Sequence, residues 1–317
     1  MSDLGNLPME ATRNAYGRVL AQLGEEREDI VVLDADLSGS TKTALFAGRF
    51  PERFFNMGIA EQNMINVAAG LALGGKIPFA STFAIFATGR AWEQVRSSVA
   101  YPNLPVRIVA THAGVTVGAD GASHQALEDI ALMRVIPGMK VVVPADGPET
   151  ERVIRGVVDL DGPVYVRLGR AEVPALSGDG DFVLGRAQVL RPGRDAAIVA
   201  CGVMVSRALE AAEKLEARGI DVRVINLSTI KPLDVQALTA AATECGAVVT
   251  AEEHSVIGGM GSAVAELLSE VYPVPVRRVG VADRFGQSGE ADELLEAYGL
   301  TAGAIEDAVL AALRQKA

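Results

Sequence analysis

Two of the chain's three histidines, His112 and His124, stand in one glycine-rich stretch, Thr111-His-Ala-Gly-Val-Thr-Val-Gly-Ala-Asp-Gly-Ala-Ser-His124, with Asp120 between them. Imidazoles titrate near neutral pH, so this set could grip a polyhydroxylated substrate or exchange protons with it. The same side chains could form a two-histidine, one-carboxylate metal site, or only a hydrogen-bonded surface loop. Gly114, Gly118 and Gly121 would let the backbone turn and come close to a ligand. A second chemical candidate is Glu61, in Gly58-Ile-Ala-Glu-Gln-Asn63. An acid in the first turn of a helix suits the macrodipole, so a solvated glutamate would be ordinary there. Buried among Ala and Gly, it could instead share a proton with a ring nitrogen. Phe83 and Phe86, three apart, could share a helical face, either as core or as a stacking platform. Arg167 and Arg170 leave a strand and could take a phosphate between them. Asp34 and Asp36, at the end of the first strand, are also placed for ligand contact.

These residues need a frame. Ile30–Leu33, Ile77–Ala80, Val106–Ala110, Lys140–Val143 and Val164–Val166 read as strands, with helices expected at about 61–74, 86–100, 124–135 and 147–159. Such alternation implies βαβ crossovers and a mainly parallel sheet covered on both faces. The 111–124 stretch follows a strand, at the carboxyl edge where open α/β sheets place ligands. From Ala171 to Asp195 the pattern breaks into Pro, Gly and scattered charge, with short strands possible at Phe182–Leu184 and Ala187–Leu190. Alternation then resumes with strands at Ala196–Ala200, Val222–Ile225, Ala247–Thr250 and Val276–Val279. A helix over Val203–Arg218 should end at Gly219, Gly258-Gly-Met-Gly261 should open another, and Thr301 should cap the last. The expected fold is α/β, two domains with mainly parallel sheets flanked by helices: 1–170, a linker 171–194, and 195–317.

Composition narrows the function classes. The 317 residues carry 29 Lys and Arg against 40 Asp and Glu, a net charge of −11, with no basic block to suit nucleic acid or an anionic membrane. Met1-Ser-Asp-Leu-Gly-Asn6 lacks a signal peptide's basic and apolar regions, so a cytoplasmic location is expected. Cys201 and Cys245 sit in apolar stretches and read as buried, reduced thiols. Gly258-Gly-Met-Gly261 lacks the dinucleotide fingerprint and its downstream acid.

Taken in order, these segments resemble the C-terminal half of transketolase, as found in the separately encoded C-terminal subunit of split transketolases. The resemblance covers nearly the whole chain, as a pyrimidine-binding domain followed by a transketolase C-terminal domain. It rests most on Gly58-Ile-Ala-Glu-Gln-Asn63 and on the spacing of His112, Asp120-Gly and His124-Gln125. Asp36-Leu-Ser-Gly-Ser40, Thr82-Phe-Ala-Ile-Phe86, Pro144-Ala-Asp146, Arg170 and Asp283-Arg-Phe-Gly-Gln-Ser288 add to it. The resemblance implies thiamine diphosphate as cofactor and two-carbon ketol transfer between phosphorylated sugars, in the pentose phosphate pathway or on unusual sugars. Glu61 matches the glutamate that hydrogen-bonds the coenzyme's pyrimidine nitrogen. Phe83 and Phe86 match the aromatics stacked on that ring, and Asp36 a residue near the cofactor at the subunit interface. His112, Asp120 and His124 match residues that bind sugar hydroxyls and help move protons. Arg170 and Ser40 match substrate-phosphate contacts.

The chain departs from the family at Gly89, where a third stacking aromatic is usual, and at Gly169, where a serine often precedes the arginine. The family also holds Mg²⁺ on a Gly-Asp-Gly motif followed by asparagine. Here the asparagine nearest downstream of Gly178-Asp-Gly180 is Asn226, in an expected strand. The implied Mg²⁺ ligands and diphosphate site therefore belong to a separate N-terminal subunit, in an α₂β₂ assembly, and this chain alone should be inactive. The C-terminal domain, with no convergent acid–base set, is expected to serve assembly. Competing readings are the β subunit of a 2-oxo-acid dehydrogenase, a non-catalytic assembly subunit, and a two-histidine, one-aspartate metalloenzyme.

Overall fold

The computed structural model describes residues 7–178 and 180–316. Met1–Asn6 and Asp179, on which two of the expectations above fall, lie outside them. Ile30–Asp34 is buried at every position, as a central parallel strand covered on both faces must be. It sits within a seven-stranded sheet whose order is Thr229–Lys231, Lys140–Val142, Val164–Arg167, Arg107–Thr111, Ile77–Phe83, Ile30–Asp34 and Phe54–Asn56. Every pairing is parallel except that of Thr229–Lys231, which comes from the second half of the chain. The second sheet runs Val276–Val281, Val248–Ser255, Ala196–Ala200, Val222–Asn226 and Gln188–Arg191, with the last strand antiparallel.

The two halves share their interior. One continuous core joins Leu33, Ile65 and Ile108 of the first half to Val199, Ile225 and Leu268 of the second. The 171–194 stretch is also built in rather than hanging free. Glu172–Pro174 pairs with Met9–Ala11, and Gln188–Arg191 forms a sheet edge. Phe182–Leu184 forms no strand; Phe182 and Leu184 pack instead against the core around Tyr16, Phe79 and Ile154. Both cysteines are free and buried. Thr301 caps Ala302–Leu313 by accepting the Ala304 N–H. Among the described residues, no helix is long and apolar enough to cross a membrane.

Three expected elements differ, each for a local reason. The helix expected over 86–100 is broken into a wide π-type turn at Phe86–Arg90, a short helix at Trp92–Gln94 and a second wide turn at Val95–Ala100. Thr88 Oγ1 donates back to the Ala84 carbonyl at 2.7 Å, an insertion of the kind that distorts a helix. The helix expected from 124 begins only at Asp129, because the Ala126 carbonyl accepts the Gly114 N–H and closes the preceding loop. The strand expected to end at Thr250 continues to Ser255. Its extension holds Glu252, Glu253 and His254, whose polarity hides a buried strand.

Candidate functional site

Four neighbouring parallel strands deliver the candidate residues to one edge. The carboxyl ends at Asp34, Phe83, Thr111 and Arg167 lead into the turns that hold Asp36, Phe86, His112 and Arg170. Register sets who meets whom: Phe83 lies opposite Thr111, which brings the next residue, His112, beside the Phe83 ring. The two rings stack with centroids 3.8 Å apart. Phe83 and Phe86 lie near-parallel, 6.0 Å apart, and the His124 ring meets Phe86 edge-on at 5.5 Å. Phe83 is buried and Phe86 half-buried, so the pair is core on one side and open on the other.

Glu61 is the first residue of the helix Glu61–Leu73 and is only 2% exposed. Its partner, which the sequence did not suggest, is Arg90. Arg90 Nη1 donates to Oε1 at 2.8 Å and to Oε2 at 3.0 Å, and its guanidinium lies 4.5 Å from the centre of the Phe86 ring. Arg90 follows Gly89, where the third aromatic is missing, and leaves the chain from the wide turn at Phe86–Arg90. Glu61, Arg90, Phe86, Phe83, His124 and His112 thus form one unbroken series of contacts.

His112 is buried, with a left-handed φ of 58°. Arg13 Nη1 donates to its Nε2 at 3.1 Å, since a guanidinium can only donate. That assigns the proton to Nδ1, which donates to Thr111 Oγ1 at 2.8 Å. Burial first, then the Arg13 and Arg170 charges, lower its pKa to about 3. His112 is therefore a neutral imidazole near neutrality, which suits the hydrogen-bonding half of the expectation better than proton exchange. His124 is half-buried, with Nδ1 3.0 Å from Ser123 Oγ.

The anion-binding candidates separate. Arg170 stays at the edge, with Nη1 on the Val117 carbonyl and 3.5 Å from Asp120. Arg13 also donates to the Ser40 carbonyl at 3.0 Å, linking that turn to His112. Arg167, by contrast, is buried and does not face the site. Its Nε bonds Asp129 at 2.7 Å, and its Nη2 reaches the Glu253 carbonyl at 2.9 Å. The reason is the length of the strand: Val164–Arg167 places this arginine under the second domain. Gly169 has no crowding neighbour, so glycine is not sterically required there. Asp34 is buried, its carboxylate taken by Thr41, Thr43 and the Leu37 N–H. Asp36 is exposed, with a φ of 64°, and accepts from Asn56 Nδ2 at 2.9 Å.

The second domain contributes Glu253, 4% exposed, whose Oε1 accepts the Thr116 N–H at 2.6 Å inside the 112–124 loop. Burial raises its pKa to about 7. The second domain, expected to serve assembly, thus also touches the loop that carries the candidate histidines. Two acids within an apolar strand were the available signal. Arg13 and Arg90 gave none, being ordinary charges on helices. Among the described residues no three His, Cys, Asp or Glu side chains group closely enough to hold a metal.

Comparison with known proteins agrees with this arrangement. Residues 9–175 match the family described as transketolase, pyrimidine binding domain, and residues 185–305 that described as transketolase, C-terminal domain. The chain is 50% identical over 308 residues to a putative transketolase C-terminal section of Methanocaldococcus jannaschii, covering 96% of each chain. It is 46% identical to the 6-deoxy-6-sulfo-D-fructose transketolase subunit SqwH of a Clostridium species, covering 92% of this chain and 90% of the relative. Among solved structures, a split-gene transketolase described as an inactive β4 tetramer superposes with a TM-score of 0.91 at 58% identity, covering 97% of this chain and 99% of that one. The chain belongs to the transketolase family, of which it carries the pyrimidine-binding and C-terminal domains.

Proposed function

We propose that the chain is the C-terminal subunit of a thiamine diphosphate-dependent transketolase, which moves a two-carbon ketol unit from a ketose phosphate to an aldose phosphate. The observation that carries this reading is the position of Glu61: a nearly inaccessible carboxylate at a helix start, joined through Arg90 and two stacked phenylalanines to a pair of histidines. An aminopyrimidine fits this setting, because it needs one carboxylate at a ring nitrogen and an aromatic face beside it. A diphosphate with its Mg²⁺ does not fit, since among the described residues no metal-holding group exists. That half belongs to an N-terminal subunit, in an α₂β₂ assembly.

When bound, thiamine diphosphate supplies a carbon nucleophile and an electron sink for the two-carbon unit. The chain's own residues do the rest. Glu61 holds a proton between its carboxylate and the pyrimidine nitrogen, while Phe83 and Phe86 fix the ring and Asp36 stands at the subunit boundary. His112, neutral, hydrogen-bonds a sugar hydroxyl. His124, less enclosed, moves protons, and Asp120 accepts from a hydroxyl. Arg170, Arg13 and the Ser40 turn receive the terminal anion of the sugar. The relative named for a sulfo-sugar supports an anion pocket of this kind, phosphate or sulfonate.

The similar solved structure, an inactive β4 tetramer of a split-gene transketolase, supports the expectation that this chain alone does not turn over. The test is to assay each purified subunit and then their mixture with thiamine diphosphate and Mg²⁺, on xylulose 5-phosphate with an aldose phosphate and, separately, on pyruvate. Ketol transfer by the mixture alone is expected. Substantial turnover by this chain by itself would overturn the split assignment, and preferential decarboxylation of pyruvate would replace the transketolase reading with a 2-oxo-acid dehydrogenase one.

A further inference from the structure

The loop that carries His112, Asp120 and His124 turns at three glycines, Gly114, Gly118 and Gly121, with φ of 82°, 84° and 76°. Those angles favour glycine. Each glycine also abuts a group from the C-terminal domain. A Cβ on Gly114 would lie 2.1 Å from the Glu253 carboxyl carbon. One on Gly121 would lie 2.5 Å from Ser288 Oγ, and one on Gly118 would lie 3.4 Å from the Gly289 carbonyl oxygen. Between these points Gln125 Nε2 donates to the Val115 carbonyl at 3.0 Å and, across the domain boundary, to the Gln287 carbonyl at 2.9 Å. The helix Ala291–Ala297 packs along the same turns. The second domain therefore lines the back of the loop from end to end.

Glu253 makes the innermost of these contacts. Its Oε1 takes the Thr116 N–H, and its backbone carbonyl takes Arg167 Nη2, so both ends of the residue are committed. A buried carboxylate is costly, and an apolar residue would suit the middle of a strand better unless the acceptor is needed. The need is visible: the Thr116 N–H is buried, and the Glu253 carboxylate is the acceptor that satisfies it. The loop leaves His112, reaches Thr116 and returns to His124, so holding its middle fixes the separation of its two ends.

We infer that Glu253 is a positioning residue for the donor-sugar site, holding the His112–His124 loop in its binding shape from the C-terminal domain. Glu253 touches neither ring and acts only through Thr116 and Gly114. The inference rests on the reading of that loop as the sugar site, but its geometric part can be read without any assay.

Three variants separate the outcomes: Glu253→Gln keeps an oxygen acceptor at the same reach, Glu253→Asp withdraws it by one methylene, and Glu253→Ala removes it. In the purified full chain, amide exchange at Thr116 should speed up about tenfold or more in the Asp and Ala variants and stay within about threefold in the Gln variant. In the reconstituted complex, KM for the donor ketose should rise by about tenfold in the Asp variant, with the thiamine diphosphate Kd unchanged and the Gln variant near wild type. Unchanged Thr116 exchange in the Asp variant would overturn the inference, whatever the substrate proves to be. Equal shifts in donor KM and coenzyme Kd would also overturn it, since they would show a general loosening of the fold. A complex that transfers no ketol unit at all would count against the proposed function, while the exchange result would still decide the bracing.

Discussion

Arg90 Nη1 donates to both carboxylate oxygens of Glu61, at 2.8 and 3.0 Å, so the acid proposed to face the coenzyme already has a cation as partner in the isolated chain. A pyrimidine nitrogen approaching Glu61 must compete with that guanidinium. Arg90 is half-exposed, so the contact contributes about 1 kcal/mol rather than the larger sum of a buried pair. Arg90→Ala should then tighten thiamine diphosphate binding to the assembled complex by roughly fivefold, while lowering the Tm of the free chain. Calorimetric titration of coenzyme into wild-type and variant complexes measures the first effect. Weaker binding in the variant would show that Arg90 assists the coenzyme instead.

Glu61 itself has the sharper expectation. Glu61→Gln keeps size and a hydrogen-bonding group but loses the negative charge that holds a proton at the ring nitrogen. Activity of the reconstituted complex should fall by several orders of magnitude, beyond the ~10²–10⁴ typical of one acid–base group, because coenzyme activation precedes every later step. Assembly, followed by sedimentation, should be unchanged. A variant with wild-type turnover would favour the non-catalytic subunit.

His112 should not titrate across the neutral range. Its imidazole, ordinarily near 6.5, is lowered to about 3 by burial and by the Arg13 and Arg170 charges. A base depressed in the folded state stabilises the fold above its unfolded pKa, and that contribution is lost as pH falls from about 6.5 through about 3. Imidazole NMR signals of the chain should show no His112 titration between roughly pH 5 and 8. Arg13→Ala removes a neighbouring cation and frees the Nε2 lone pair, so the His112 midpoint should move upward.

The sequence was informative where residue type alone limits the job. Two histidines around an aspartate, a glutamate before an apolar helix and two phenylalanines three apart each had an ordinary structural reading alone, yet all fall on one sheet edge. Arg90 and Arg13 were not legible, and Glu253 showed only as an acid in an apolar strand, because each acquires its role from a neighbour distant in the chain: Glu61, His112 and Thr116. Arg167 misled for the same reason. Its spacing from Arg170 suggests a shared anion, but whether a strand-end arginine faces solvent or a second domain depends on what packs above it.

Glu253 gives a pH signature of opposite sign to that of His112. Its carboxyl rises from an ordinary 4.5 to about 7, through burial that outweighs the lowering by the Arg167 charge, with Asp129 adding to the rise. An acid raised in the folded state stabilises the fold below its unfolded pKa, and the contribution fades as pH climbs through about 7. The Tm of wild type minus that of Glu253→Gln should therefore fall between pH 4.5 and 7, while the other titrating groups cancel in the difference. A flat difference would place the carboxyl in a more polar setting than its 4% exposure indicates.

Asp129 holds Arg167 where the guanidinium reaches across the domain boundary, and removing either should show it. Asp129 accepts from Arg167 Nε and from the Tyr165 hydroxyl, both at 2.7 Å, while Arg167 also holds the Glu253 carbonyl across the domain boundary. Asp129→Ala leaves a guanidinium buried without its counter-ion and should cost about 3–5 kcal/mol in urea unfolding. Tyr165→Phe removes one neutral donor and should cost nearer 1 kcal/mol. The double variant Asp129→Leu with Arg167→Met replaces the pair with apolar groups and should recover much of the single-variant loss, because desolvating two charges offsets most of their attraction. It should still disturb the loop, since the Glu253 carbonyl loses its donor. Recovered stability together with faster Thr116 exchange would separate what the pair does for the fold from what it does for the site.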